Sequence, residues 1–160
     1  MDPMHLPTPK QLRDLLTELL GREVEVSPGT PLAPSADAPA TFSVFVDNSL
    51  TICALIVVDL DLSAHAGAAI GLMPPPTARE AIEEKSLPDT MKENLYEVLN
   101  IASAMFNIEG ARHTKLHEVY HTGDPVPPLI LGKAFTLGQR EDLNVSVTGY
   151  GPGRVSLVLV

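Results

Sequence analysis

Apolar residues recur at helical spacing from Leu87 to Gly110, and this stretch predicts the longest helix of the chain. An α-helix turns by about 100° per residue. On one side this rotation collects the apolar residues Met91, Leu95, Val98, Leu99, Ala102, Met105 and Phe106. On the opposite side it collects Glu93, Glu97, Asn100 and Ala104. The pattern therefore predicts a helix with one face packed on a core and one polar face in solvent.

The first helix is predicted from three start signals and one stop signal. Thr8 can serve as the N-cap, Pro9 suits the first helical position, and Gln11 completes a capping box. Gly21 is a natural C-terminal stop. Between them, an apolar stripe is formed by Leu12, Leu15, Leu16 and Leu19.

Two shorter helices are predicted in the middle of the chain. Ser63 can cap a helix that runs from Ala64 to Gly71. Thr77 and Glu80 form a second capping box, which predicts that another helix begins at Thr77. The prolines at 74–76 predict an extended connection between these two helices.

Strands are predicted on both sides of these helices. Thr41–Val46 and Leu50–Val58 flank the turn residues Asp47-Asn48-Ser49, which predicts a hairpin. Leu50–Val58 is apolar at both odd and even positions, so we expect a central strand that is covered on both faces. The other candidate strands are Arg22–Val26, Arg112–His121, Pro127–Lys133, Ala134–Leu137, Leu143–Thr148 and Val155–Val160. This order of elements predicts an α+β fold with helices packed on an antiparallel sheet.

Composition and charge narrow the classes of function. With 160 residues, of which 44% are hydrophobic, the chain is predicted to form one globular domain over residues 1–160. The net charge of -9 and the scattered basic residues argue against a nucleic-acid partner. No apolar run is long enough to cross a bilayer and the N-terminus lacks a signal-peptide pattern, so we expect a cytoplasmic protein with no membrane partner. Cys53, the single cysteine, is expected to be a buried small hydrophobe.

Metal and nucleotide sites find little support in the sequence. His113, His117 and His121 recur every four residues, but they fall in a predicted strand. Residues four apart in a strand lie about 13 Å from each other, so one ion cannot bridge them. No phosphate-binding glycine motif of the G-x-G-x-x-G or P-loop type occurs. We therefore predict no metal site in this chain.

Glu97 and Asn100 are the candidate chemical groups, because residues three apart are neighbours on a helical turn. A carboxylate beside an amide suits a partner whose own site contains a lysine and a reactive electrophile. The carboxylate can pair with the lysine, and the amide can hold a water in line for attack. Taken alone, such residues on the outer face of an amphipathic helix are usually just solvated.

The chain resembles the CheC/CheX family of phosphatases, and CheX more than CheC. These proteins dephosphorylate the aspartyl phosphate of response-regulator receiver domains, and their helical motif is Asp/Ser-x-x-x-Glu-x-x-Asn. The stretch from Glu93 to Asn100 fits that motif with Glu in the first position. The context is also similar: the first helix ends in Leu20-Gly21, the REVEV segment and an apolar hairpin follow, and strands close the chain.

The resemblance implies a two-layer CheC/CheX-like fold and a defined set of roles in chemotaxis or two-component signalling. Asn100 would orient the attacking water, Glu97 would pair with the receiver's lysine, and Glu93 and Ala104 would contact the partner. The partner would be a phosphorylated CheY-type receiver that holds its own Mg²⁺, so the chain would need no cofactor. Resemblance to CheX implies a homodimer formed through sheet edges, whereas resemblance to CheC implies a monomer. One site is expected, because the first helix offers Asp14, Glu18 and then Gly21 in the position of the Asn.

Two departures from the family pattern leave other functions open. The family usually has Gly four residues after the Asn, where this chain has Ala104-Met105-Phe106. The downstream proline of the family is expected near Thr122, and the nearest prolines here are Pro125 and Pro127. The alternatives are a non-catalytic CheX-like adaptor that binds a receiver or another signalling protein, and a plain structural or ligand-binding domain.

Overall fold

Six strands form one antiparallel sheet in the computed structural model, which describes residues 2–160. The strands are β1 (Val24–Pro28), β2 (Ala40–Val46), β3 (Ile52–Asp59), β4 (Lys115–Tyr120), β5 (Arg140–Val147) and β6 (Gly151–Leu159). Across the sheet they lie in the order β1-β5-β6-β3-β2-β4. β3 is therefore central, and it is buried from Cys53 to Val58. This confirms the predicted hairpin with β2 and the predicted covering of both faces.

Helices cover the two faces of this sheet unequally. Residues 2–160 contain the helices α1 (Pro9–Leu20), α2 (Leu60–Ile70), α3 (Pro75–Glu84), α4 (Asp89–Ala102) and α5 (Pro128–Ala134). The first four form a layer on one face, where alternate β3 residues such as Ile56 and Val58 join the main core. α5 and the loop around Leu32 cover Leu55 and Val57 on the other face. The α+β fold with helices packed on an antiparallel sheet is confirmed.

The start and stop signals of α1 are confirmed in detail. The Thr8 hydroxyl accepts a hydrogen bond from the Gln11 backbone N–H at 3.2 Å, and the Gln11 side-chain oxygen accepts one from the Thr8 N–H at 2.9 Å. Gly21 ends the helix in the left-handed region with φ 67°. These local bonds involve only residues close in sequence, which is why the sequence predicts them well.

The predicted starts of α2 and α3 are wrong by up to one turn. α2 begins at Leu60 because the Asp59 carboxylate accepts a hydrogen bond from the Leu62 N–H at 2.8 Å. Ser63 is instead a buried residue inside the helix, where its hydroxyl donates to the Asp59 carbonyl at 2.7 Å. α3 begins at Pro75, two residues before the predicted Thr77, so Pro75 and Pro76 belong to the helix and not to an extended connection. The missing N–H of proline costs nothing in the first turn of a helix.

The motif helix ends earlier than predicted. α4 stops at Ala102, and a single 3₁₀ turn at Ser103–Met105 follows, whereas the sequence pattern extended the helix to Gly110. Asn107 then bonds to Thr114 at the approach to β4, through its side-chain oxygen at 2.7 Å and its amide nitrogen at 2.8 Å. These bonds connect residues on either side of a turn, so they stabilise the change of chain direction that follows the helix.

The segment Pro127–Lys133 is a helix and not the predicted strand, and Ala134–Leu137 is not a strand either. The Ile130 and Leu131 N–H groups donate to the Pro127 carbonyl, which closes the first turn of α5. Ile130 and Ala134, four residues apart, are the buried pair of this helix. Residues four apart lie on the same side of a helix, so both side chains pack against the second face of the sheet.

The ends of the remaining strands differ from the prediction by a few residues. β1 begins two residues later, β4 is shorter at both ends, and β5 and β6 begin three and four residues earlier. Strand ends depend on the pairing partner, which the sequence of one strand does not contain.

Candidate functional site

α4 has a buried face and an exposed face, as its sequence predicts. Its buried residues are Met91, Leu95, Val98, Leu99 and Ala102. Glu93, Glu97 and Asn100 lie on the opposite, exposed face. Because the helix turns by about 100° per residue, these three side chains project from the middle of the exposed face. The structure therefore brings together three of the four predicted site residues on one helical surface.

Close packing against α2 fixes the direction of that exposed face. A Cβ atom added to Gly67 of α2 would lie only 2.7 Å from the Met91 Cγ, so the two helices touch at a residue without a side chain. The Asn94 amide also donates a hydrogen bond to the Gly67 carbonyl at 2.9 Å. The small residue and this bond hold α4 against the helical layer, with Glu97 and Asn100 directed away from it.

The side chains of Glu97 and Asn100 are available to a partner. Among the residues that the structure describes, none forms an ion pair or hydrogen bond with the Glu97 carboxylate or the Asn100 side-chain amide. The Asn100 backbone is engaged, because its carbonyl accepts a hydrogen bond from the Ser103 hydroxyl at 2.7 Å. This bond lies within the last turn and leaves the amide free.

Ala104, the fourth predicted site residue, lies outside the α-helix. It is the middle residue of the 3₁₀ turn and is exposed. Met105 and Phe106 are directed inward, with exposed fractions of 4% and 0%. The Phe106 ring packs on Phe45 of β2, with 5.1 Å between ring centroids. The departure from the family segment is therefore mostly internal, and only Ala104 contributes to the surface.

The two downstream prolines lie on the way to the other face of the sheet. Pro125 belongs to the loop that follows β4, and Pro127 is the N-cap of α5. Pro127 therefore lies at the start of the helix that covers Leu55 and Val57, on the sheet face opposite to α4.

The outer face of α1 repeats part of the motif with a different outcome. The Asp14 carboxylate pairs with Lys10 at 2.7 Å and Arg13 at 3.2 Å. The hydrogen bond from Lys10 holds the pKa of Asp14 below its usual value. Gly21, in the position of the Asn, is the left-handed residue that ends the helix. The structure therefore supports one candidate site, on α4.

Two exposed apolar residues beside the site were not predicted from the sequence. Tyr96 and Ile101 lie on the two flanks of the polar face of α4, with exposed fractions of 45% and 37%. Both fall outside the apolar stripe on the helical wheel. That mismatch is the signal by which the sequence could have identified them as surface residues.

The three histidines near β4 and the single cysteine show no sign of a further site within residues 2–160. His113 precedes β4 and His117 lies within it, and both are exposed. His121 follows β4, and burial lowers its pKa. Residues 2–160 contain no group of three or more metal-binding side chains placed to share an ion. Cys53 is buried as predicted, and burial raises the pKa of its thiol to about 11.

Across residues 2–160, none of the helices combines the length and the apolar character needed to cross a membrane.

Comparisons with known proteins give structural matches only. No protein-family model matches the sequence, and no curated protein matches it significantly. The structure is similar to FliM in the FliM–SpeE complex from H. pylori, with a TM-score of 0.59, 10% identity, and coverage of 94% of this chain and 80% of the other.

Two further matches belong to the CheX and CheC-like groups. The structure is similar to the CheX–CheY–BeF3–Mg complex from Borrelia burgdorferi, with a TM-score of 0.52, 14% identity, and coverage of 91% and 90% of the two chains. A CheC-like superfamily protein from Shewanella sp. PV-4 matches with a TM-score of 0.52, 9% identity, and coverage of 93% and 92%. The chain therefore has the CheC/CheX-like fold, which it shares with FliM.

Proposed function

We propose that this chain binds a phosphorylated CheY-type receiver domain through the exposed face of α4 and hydrolyses the aspartyl phosphate, as a signalling protein of the CheX type. The observation that carries the proposal is the pair Glu97 and Asn100, one turn apart on a rigid helix, with both side chains unengaged within residues 2–160. The CheC/CheX-like fold supports it, since a CheX with this fold has been crystallised together with CheY.

The chemistry of this reaction suits an amide and a carboxylate. Water attacks the phosphorus atom, the bond between phosphorus and the aspartate oxygen breaks, and inorganic phosphate leaves with the carboxylate regenerated. The Asn100 side-chain oxygen accepts a hydrogen bond from the water, which directs a lone pair of the water toward phosphorus. The Glu97 carboxylate pairs with a lysine of the receiver and fixes the docking geometry. Such positioning supplies much of the rate in phosphoryl transfer.

Glu93 and Ala104 complete the proposed contact surface. Glu93 lies one turn before Glu97 on the same face, where it adds a second carboxylate for a basic partner. Ala104 follows Asn100 by four residues, and its small side chain leaves room for a partner to approach the helix end. The Mg²⁺ would belong to the receiver, and the residues proposed here act without a cofactor of their own.

The test is the rate at which phosphate is lost from a receiver phosphorylated with a small phosphodonor. A panel of CheY-type receivers serves as the set of substrates. The intact chain should accelerate the loss, and Asn100→Ala should reduce that acceleration by about a hundredfold, as expected when one positioned transition-state contact is removed.

The matched control is Asn48→Ala, which removes an exposed amide in the β2–β3 turn. It should leave the acceleration within twofold of the intact chain. Equal rates for the intact chain and Asn100→Ala would contradict the catalytic role.

A second candidate function is a non-catalytic adaptor. The observation that favours it is that the same fold occurs in a FliM solved as a complex with SpeE, so the fold is compatible with binding of other proteins. In that case the chain binds a receiver or another signalling protein, the complex survives Asn100→Ala, and no phosphate is released. Binding without turnover in the experiment above would favour the adaptor.

A further inference from the structure

A cleft separates α1 from α4 next to the candidate site. It has a volume of about 360 Å³ and is lined by Leu15, Glu18, Leu19 and Ile101. Ile101 follows Glu97 by four residues, so the two side chains are neighbours on α4. The cleft is therefore continuous with the proposed docking face.

The packing between α1 and α4 is also incomplete below the cleft. An apolar cavity of about 30 Å³ lies where α1 and α4 pack over the sheet, and Leu15 lines both this cavity and the cleft. The lining offers no polar partner to a water molecule, so the cavity is expected to be dry. Leu15 therefore borders unfilled space as well as the cleft.

The charges around the cleft have one sign. Glu18 is exposed on α1 and Glu97 is exposed on α4. Within residues 2–160 neither carboxylate is paired with a basic side chain. Leu15, Leu19 and Ile101 form the apolar lining of the cleft, which also includes Glu18, and Glu97 lies one turn before Ile101 on α4. The cleft is therefore apolar with acidic groups beside it. Its complement is an apolar side chain next to a basic one.

We propose that this cleft is a specificity pocket for the receiver: an apolar side chain of the receiver inserts between α1 and α4, and a neighbouring basic residue pairs with Glu18. This inference rests on the proposed function, because it assigns the partner of the adjoining α4 face. It goes beyond that function by giving α1 a role in partner choice. A receiver that has the required lysine but lacks the apolar and basic pair is expected to bind weakly.

The test measures the dissociation constant of the intact chain for receiver domains loaded with beryllofluoride and Mg²⁺, using the same panel of CheY-type receivers. Ile101→Ala should weaken binding by about fivefold to tenfold, since it removes much of the apolar floor. Glu18→Gln should weaken it by about threefold at low salt and less at high salt, because its effect is electrostatic. Glu18 is exposed, so its substitution does not threaten folding.

Two matched controls separate the cleft from general surface effects. Leu137→Ala shortens an apolar side chain that is 83% exposed, and Glu84→Gln removes an exposed carboxylate at the end of α3. Both should leave the dissociation constant unchanged. Binding by the intact chain that neither Ile101→Ala nor Glu18→Gln weakens overturns the cleft proposal and leaves the function of Glu97 and Asn100 standing. No binding by the intact chain overturns both.

Discussion

α1 and α4 both line one small apolar cavity and both expose acidic side chains, yet only α4 carries the complete carboxylate and amide pair proposed as the site. On α1, Asp14 is paired with Lys10 and Arg13, whereas Glu18 has no basic partner within residues 2–160. On α4, Glu97 and Asn100 have no such partners within the described chain. The comparison teaches that the acidic pattern alone does not define a site. The two helices differ at the position of the amide, which is Asn100 within α4 and the left-handed Gly21 at the end of α1.

The largest effect is expected where the end of α4 is attached to the core. Phe106→Ala removes a ring that is completely buried against Phe45, and it should lower the free energy of unfolding by about 3–5 kcal/mol. Urea denaturation followed by circular dichroism measures this change. The exposed Phe135→Ala is the control and should change stability by less than about 0.5 kcal/mol. Similar values for both variants would mean that Phe106 does not anchor the 3₁₀ turn.

The next prediction compares the unpaired carboxylate of Glu97 on α4 with the paired carboxylate of Asp14 on α1. Glu97→Gln should slow receiver dephosphorylation by about a hundredfold, because the proposed pairing with the receiver's lysine is lost. Asp14→Asn should change the rate by less than twofold, since that carboxylate is already paired within α1. Single-turnover rates with the same receiver measure both. Equal losses would remove the distinction between the two helices.

A smaller effect is expected at the end of α1. Gly21→Ala should lower the free energy of unfolding by about 1 kcal/mol, because φ 67° is unfavourable for a residue with a Cβ atom. The added Cβ meets no atom within 4 Å, so the cost comes from the backbone alone. Thermal unfolding measures it.

Gly21→Asn completes the motif on α1 by sequence and tests whether sequence is enough. Asn tolerates the left-handed conformation, so this variant should fold nearly as stably as the parent. It should not raise the turnover rate, because the residue lies beyond the last helical turn and its side chain is not placed as that of Asn100 is. A rise in turnover would indicate that α1 can act as a second site.

The weakest perturbation acts on α2, which contacts both α1 and α4. His65 of α2 is buried, and burial lowers its pKa below the usual 6.5. Between the lowered pKa of the folded state and the usual 6.5 of the unfolded chain, the unfolded chain binds the proton more readily. The contribution of neutral His65 to the free energy of unfolding is therefore complete above pH 6.5 and declines as the pH falls below it. Unfolding free energies at pH 7.5 and 5.5 measure the decline, and His65→Gln should reduce it. An unchanged pH dependence in His65→Gln would exclude this residue as its source.

The sequence by itself determined the parts of this protein that depend on near neighbours. The capping box at Thr8, the stop at Gly21, the β2–β3 hairpin and the two faces of α4 all follow from residues a few positions apart. The antiparallel α+β architecture also follows, because helical and strand periodicities specify which faces must be buried. Glu97 and Asn100 could be selected as neighbours for the same reason.

Only the tertiary structure decided where elements end and which polar groups stay free. α4 stops at Ala102 because Phe106 enters the core and Asn107 bonds to Thr114 across a turn. The 128–134 segment is helical because the second sheet face accepts Ile130 and Ala134 together. The cleft between α1 and α4 likewise exists only once the two helices are placed side by side. Each of these features depends on contacts with residues outside the segment concerned, so the periodicity within that segment does not predict it.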